Sequence, residues 1–380
     1  MRLSSHDDFT SLREIIVGSA ANYLSHERDV TFELFHHENL TGFRSDWAYP
    51  RLAAHGGATP QSWQIKHRYA EELHEDVEDL AATLASFGVT VHRPLPLPPD
   101  AAPIAGLGWQ AAPTPALNIR DNTLILGEEI IETPPAIRSR YLETRLLSPV
   151  FTHYWQAGAT WTTMPRPTLT DVSFDLSYAR DATTTLGGPT ESIDAPQPSS
   201  YDVGFEMMLD GAQVLRLGRD LVVNIAQENH RRGVDWLERH LGGRYRIHRV
   251  WRMADNHIDS MLLALRPGVL LARHAGLRDL LPQRLRAWKL IVPPEPDPGA
   301  FPVYDDEDLV LTSPYIDLNV LSIDEETVLV NEQCTGLIKT LEAEHFTVVP
   351  VRHRHRRLFG GGFHCFTLDT VRTGGCEEYL

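Results

Sequence analysis

Short aliphatic runs, several of them stopped by Gly, Asp or Asn, recur along this chain in a fixed company, and they limit its fold more than any other feature. Arg13-Glu14-Ile15-Ile16-Val17-Gly18 reads as a short buried strand closed by glycine. Over residues 66–87, Leu73, Val77, Leu80 and Leu84 stand three or four apart among Lys, His, Glu and Asp. That spacing predicts an amphipathic helix ending near Gly88, with a strand over 89–92. The order then returns. Residues 116–127 and 128–132 are strand-like and 136–157 helical. Residues 208–224 form two strands around Leu217-Gly218-Arg219-Asp220, followed by a helix over 230–241 and a strand over 245–251. Strand patterns at 309–311, 319–323 and 327–330 precede a helix over 335–344 and a strand over 347–351. Two strands, a helix and a further strand make the recurring unit. The expectation is one α/β domain of similar modules spanning 1–380. Two stretches fall outside the rhythm: a loop over 94–116 with seven prolines, and a variable loop over 179–201 rich in Thr, Ser, Gly and Pro.

Thirty-five basic residues against 51 acidic ones leave a net charge of −16. Binding to nucleic acid or an anionic membrane needs clustered Lys and Arg, so neither is the expected partner. Residues 1–8 lack the apolar core of a signal peptide, and no run approaches the ~18 apolar residues of a membrane span. Three cysteines, an odd number, do not make a disulfide framework, so a reducing cytoplasm is the expected setting.

Gly360-Gly361-Gly362-Phe363-His364-Cys365 is the stretch with the most chemistry in it. Consecutive glycines allow positive φ and close backbone approach to a ligand. A cysteine just after such a turn is a candidate nucleophile, although a buried inert thiol fits the same letters. Asp121, Asp210, His257 and Asp259 lie where strand patterns run into turns. Read as part of a strand, His257 and Asp259 at i and i+2 share a face. A His-x-Asp pair with one distant Cys lacks zinc-site spacing, and no P-loop-type phosphate cradle is present, so neither a metal nor another cofactor is expected.

Taken together, these segments resemble the amidinotransferases, the family of glycine amidinotransferase and the inosamine-phosphate amidinotransferases. The resemblance runs in order through Glu14-Ile15-Ile16-Val17-Gly18, Ile119-Arg120-Asp121, Glu129-Ile130-Ile131-Glu132-Thr133-Pro134 and Arg138-Ser139-Arg140. It continues through Trp161-Thr162-Thr163, Leu209-Asp210-Gly211-Ala212, Leu217-Gly218-Arg219-Asp220, His257-Ile258-Asp259, Asn319-Val320-Leu321 and residues 360–365. It implies a pentein-type fold, an α/β propeller of ββαβ modules with pseudo-fivefold symmetry. It also implies Cys365 as nucleophile, His257 as general acid/base, Asp210 as the carboxylate that orients it, and Asp121 and Asp259 as the carboxylates that hold a guanidinium. The implied reaction moves an amidino group from L-arginine, or a close guanidino donor, to an amine acceptor through an amidino-cysteine, in specialised (antibiotic-type) biosynthesis. A homodimer is compatible with this. An arginine deiminase-like hydrolase would use the same Cys, His and Asp set, and a non-catalytic binding protein could share the fold.

Several substrate positions depart from the family pattern. Asp317 stands where relatives carry a small residue that seats the donor's amino-acid end. It either faces an amine-bearing acceptor or a donor other than plain arginine, or it pairs with a neighbouring arginine. Asn256 occupies a position that varies with acceptor, and the arginine for the donor carboxylate matches Arg278 or, alternatively, Arg273. The basic run over 352–357 reads either as an anion-binding segment or as a solvated loop paired with surface acids.

Overall fold

The computed structural model describes residues 1–23, 31, 66–173, 206–254, 256–304 and 312–380. The expected variable loop at 179–201 and the strand at 309–311 lie outside these residues. The observed elements follow the module rhythm closely. β1 (Leu12–Val17), the helix α1 (His67–Ser86) and β2 (Thr90–His92) come first. The proline-rich stretch contains only the two-residue strands β3 (Ile104–Ala105) and β4 (Gln110–Ala111), which pair with each other. β5 (Thr123–Leu126), β6 (Glu129–Glu132), α2 (Ser148–Gln156) and β7 (Thr160–Thr163) form the next unit. Then come β8 (Val214–Leu217), β9 (Asp220–Ile225), α3 (Glu228–Leu241) and β10 (Arg246–Trp251).

In the fourth unit, β11 (Leu262–Arg266), β12 (Val269–Ala272) and β13 (Lys289–Ile291) are linked by 3-10 turns rather than an α-helix. The fifth contains β14 (Leu321–Ser322), β15 (Thr327–Asn331), α4 (Thr335–Ala343) and β16 (Thr347–Val351). A one-turn helix α5 (Arg356–Phe359) leads through the glycines to β17 (Thr367–Arg372).

Among the described residues, five three-stranded sheets share one plan. Each has an antiparallel pair followed by a parallel third strand reached by a crossover. One of the five is completed by the two ends of the chain. β17 pairs antiparallel with β1, which pairs parallel with β2. This α/β architecture agrees with the expected class. The helix expected over 136–157 is shorter. Residues 138–140 and 143–147 are 3-10 turns, and α2 begins only at Ser148, with Pro149 in its first turn. Proline suits a helix start because its missing N–H needs no partner there.

α1 buries Leu73, Val77, Leu80 and Leu84 in one apolar cluster with Ile15, Val17, Phe363 and Phe366, so the helix seats the loop that carries Cys365. Each such buried side chain contributes about 1.5–3 kcal/mol. Beneath that loop lies an ionic cluster without solvent access. Arg216 from β8 is bound by Asp8 and Asp369, Arg120 Nη2 lies 2.6 Å from Asp369 Oδ1, and Arg372 Nε lies 2.9 Å from Asp369 Oδ2. The three guanidinium groups outweigh burial and hold the Asp369 carboxyl far below the usual range. Replacing Arg216 by Leu removes the cation that bridges Asp8 and Asp369, leaving Arg120 and Arg372 to balance the two buried carboxylates. The expected result in urea denaturation is a loss of about 3–5 kcal/mol of stability.

Candidate active site

The five sheets each begin at a turn that delivers one polar residue. Asp121 precedes β5, Asp210 precedes β8, Asp259 precedes β11, Asn319 precedes β14 and Cys365 precedes β17. All five are buried. Close backbone approach brings the turns together. Gly211 N donates to Asp121 O at 2.6 Å, and a Cβ on Gly211 would lie 2.4 Å from the carbonyl oxygens of Arg120 and Thr123. Of the glycine triplet, only Gly360 has a positive φ, 63°. Gly362 is needed for space, because a Cβ there would lie 2.7 Å from Asn319 O. That contact lets Cys365 N donate to Asn319 Oδ1 at 2.8 Å.

His257 and Asp259 are not on a strand. Residues Ile258–Ser260 form a 3-10 turn with His257 in extended conformation at its start, so the side chains do not share a pleated face. The correction has a geometric reason: strand alternation does not apply in a 3-10 turn, which lets the two residues reach different neighbours. His257 Nε2 donates to Asp210 Oδ2 at 2.8 Å, and its Nδ1 lies 3.7 Å from Asp121 Oδ1. Burial by itself would lower the imidazole pKa. Asp121, Asp210 and Asp259 together outweigh it and raise it to about 9. Cys365 Sγ lies 3.7 Å from Asp259 Oδ2, and burial, reinforced by Asp259 and Asp121, pushes the thiol well above its ordinary value.

The two carboxylates flanking this pair are each half-occupied. Asp121 Oδ2 accepts from Arg140 Nη1 at 2.6 Å, and Asp259 Oδ2 accepts from His364 Nδ1 at 2.8 Å. The Oδ1 atom of each is buried without a hydrogen-bond partner among the described residues. Two buried acceptor atoms with no protein donor suit a planar cation with several N–H groups. Burial raises the Asp121 pKa despite His257 and Arg140, whereas at Asp259 the hydrogen bond and charge of His364, with His257 and Arg120, outweigh burial and lower it.

Asn256 adjoins this group, with its Nδ2 at 3.5 Å from Asp210 Oδ2. Asp317 is ion-paired with the buried Arg356, the second of the two expected situations. Arg278 uses Nη1 to bind the carbonyls of Arg286 and Trp288, and none of its described hydrogen bonds reaches a site residue. The alternative, Arg273, stacks at 3.8 Å over the Tyr315 ring and meets Met261, beside the Asp259 turn. In the basic run, Arg352 and Arg354 bind Asp76 on α1, and His355 binds Glu72, as expected of a loop paired with acids. His364, Arg140 and Asn319 received no individual role from sequence, although all three sit inside the motifs that carried the resemblance. Among the described residues, no three His, Cys, Asp or Glu side chains group to hold a metal ion, and no helix is long and apolar enough to cross a membrane.

No protein-family model matches the chain. Known proteins nevertheless match it from end to end. Inosamine-phosphate amidinotransferase 1 of Streptomyces glaucescens is 32% identical over 379 residues, 99% of both chains. The L-arginine:L-lysine amidinotransferase of Pseudomonas savastanoi pv. phaseolicola is 33% identical over 80% of each. Among solved structures, the amidinotransferase SxtG of Microseira wollei, from the saxitoxin biosynthetic pathway, superposes with a TM-score of 0.78 at 29% identity, covering 100% of this chain and 99% of that one. These likenesses define an α/β enzyme that acts as a transferase. The chain belongs to the amidinotransferase family.

The raised pKa of His257 has a checkable consequence. Its imidazolium form is present below about pH 9 and is lost above it. If that form carries the reaction, kcat/KM falls on the alkaline side of that value. Asp210→Asn removes one of the carboxylates that raise the pKa, so the alkaline limb of the pH profile should move to lower pH.

Proposed function

We propose that the protein transfers an amidino group from L-arginine, or a close guanidino donor, to an amine through an amidino-Cys365 intermediate. The observation that carries the proposal is the pair of buried Oδ1 atoms on Asp121 and Asp259, which have no hydrogen-bond partner among the described residues and flank Cys365 and His257. They accept the donor's N–H groups and leave the central carbon open to Sγ from one face. Binding of the cation offsets the two carboxylate charges that help hold the thiol protonated, so the thiol releases its proton to solvent as the donor arrives, while His257 keeps its own. The thiolate attacks the guanidinium carbon. The bond from that carbon to the donor's alkyl nitrogen breaks, and the departing amine takes the proton from His257. Neutral His257 next takes a proton from the acceptor amine as it attacks the amidino carbon. The C–S bond breaks and thiolate is restored. Asp210 orients the imidazole throughout.

A relative named for L-arginine supports that donor, and a structural neighbour from a toxin pathway supports specialised biosynthesis. The Asp317 charge is answered by Arg356, so Asp317 does not present an unpaired negative charge to a donor carboxylate. Asn256 is assigned to the acceptor side, and Arg273 is preferred to Arg278 for the donor's carboxylate on the strength of its contacts near the Asp259 turn. The same proposal takes the whole chain as one pentein-type domain, with the five sheets set about a pseudo-fivefold axis. Their shared strand plan and the five equivalent turn positions support it.

Intact-protein mass spectrometry tests the reaction. Incubation with L-arginine should add one amidino group to the native chain and none to Cys365→Ser, and an added amine should remove it. An adduct that keeps the donor's carbon chain, with ammonia and citrulline released, would establish the hydrolase instead.

A further inference from the structure

His364 is placed unlike a residue that merely fills the core. Its backbone is fixed twice: His364 N donates to Asn319 O at 3.3 Å, and its carbonyl accepts from Arg120 Nε at 2.8 Å. Its ring is buried, with Nδ1 2.8 Å from Asp259 Oδ2. An ionised carboxylate only accepts, so Nδ1 carries the hydrogen. Nε2 points the other way, 3.8 Å from Asp8 Oδ1, towards the cluster of Arg216, Arg120 and Asp369. Asp259 therefore has one oxygen tied to the residue that immediately precedes Cys365 in the chain. Its other oxygen is buried and has no hydrogen-bond partner among the described residues. Arg140 holds Asp121 in the same half-tied state from the opposite turn.

We infer that His364 is a positioning residue for donor recognition, holding Asp259 in the rotation that turns Oδ1 towards the guanidinium. The inference rests on the proposed guanidino donor and extends it to a residue that does not touch that donor. With the Nδ1 hydrogen bond in place, the carboxylate cannot swing both oxygens towards Sγ. The charge on Asp259 is also kept, because a hydrogen bond to the ionised form favours it. Since the tie runs to the residue next to the nucleophile, carboxylate and thiol keep a fixed relation.

Two variants of similar polarity separate positioning from packing. In His364→Asn the side-chain amide occupies the place of Nδ1 and retains a donor for Asp259. In His364→Gln the amide nitrogen moves to the place of Nε2, towards Asp8. Equilibrium binding of L-arginine would be measured by calorimetry in a Cys365→Ser chain, so that no chemistry follows. The Asn variant is expected to bind close to the parent value. The Gln variant should bind about tenfold to a hundredfold more weakly, the range for a lost hydrogen bond to a charged group. Adding Asp259→Asn should abolish the difference between Asn and Gln, because the group they act through is gone. Equal binding by the two variants, whether both intact or both impaired, overturns the inference. So does a difference that persists with Asp259→Asn, or failure of the Cys365→Ser parent to bind arginine. Binding as expected without an amidino adduct on the native enzyme would overturn the transfer reaction and leave the role of His364 standing.

Discussion

Asp369 is fully buried, and three guanidinium groups converge on it. Its partners come from separate parts of the chain. Arg120 directly precedes Asp121, Arg216 lies on the strand that follows Asp210, and Asp369 lies on the strand that follows Cys365. A single buried charge cluster thus clamps β8 and β17 to the turn that carries Asp121. Removing these charges from water is expensive, and only close pairing with well-directed hydrogen bonds offsets it. The cluster consequently tolerates little displacement, and the turns above it inherit that rigidity.

Electrostatics in the site follow from the same economy of burial. Asp121, Asp210 and Asp259 are buried around one imidazole and one thiol, where charges are weakly screened. The carboxylates raise the proton affinity of His257, and Asp259 and Asp121 add to burial in doing the same for Cys365. In the free enzyme, both groups that would react therefore hold their protons. A cation seated between Asp121 and Asp259 changes the balance at the thiol, whereas the imidazolium keeps the hydrogen bond to Asp210. Under the proposed reaction such a site would discriminate by charge, because a neutral ligand of the same shape would leave the thiol protonated.

Much was legible in the letters alone. Strands and helices depend on short-range periodicity, so α1, α3, α4 and the strands β1, β2, β5, β6, β8, β9, β10, β14, β15 and β16 appear in sequence within a few residues of their observed bounds, whereas β7, β12, β13 and β17 do not. Two local readings failed for local reasons. Proline at 149 delays the helix expected from 136, and the His257–Asp259 segment turns where a strand was expected. The glycine triplet announced a tight approach, yet only Gly360 needs its backbone freedom; Gly362 is there because Asn319 leaves no room for a β-carbon.

The sequence by itself determined the α/β modules, the family and the residue types available for chemistry, because those depend on neighbours a few positions apart and on motifs in order. Tertiary structure decided which of those residues meet. β17 must reach back to β1 before Cys365 can stand beside Asp259, a contact between residues 106 positions apart. It also decided how each charge is met. Asp317 is answered by Arg356, Arg278 is held by nearby carbonyls, and among the described residues Asp121 and Asp259 each keep one oxygen without a hydrogen bond. A carboxylate's availability is set by the cations that other strands bring to it, and those are fixed only when the chain closes.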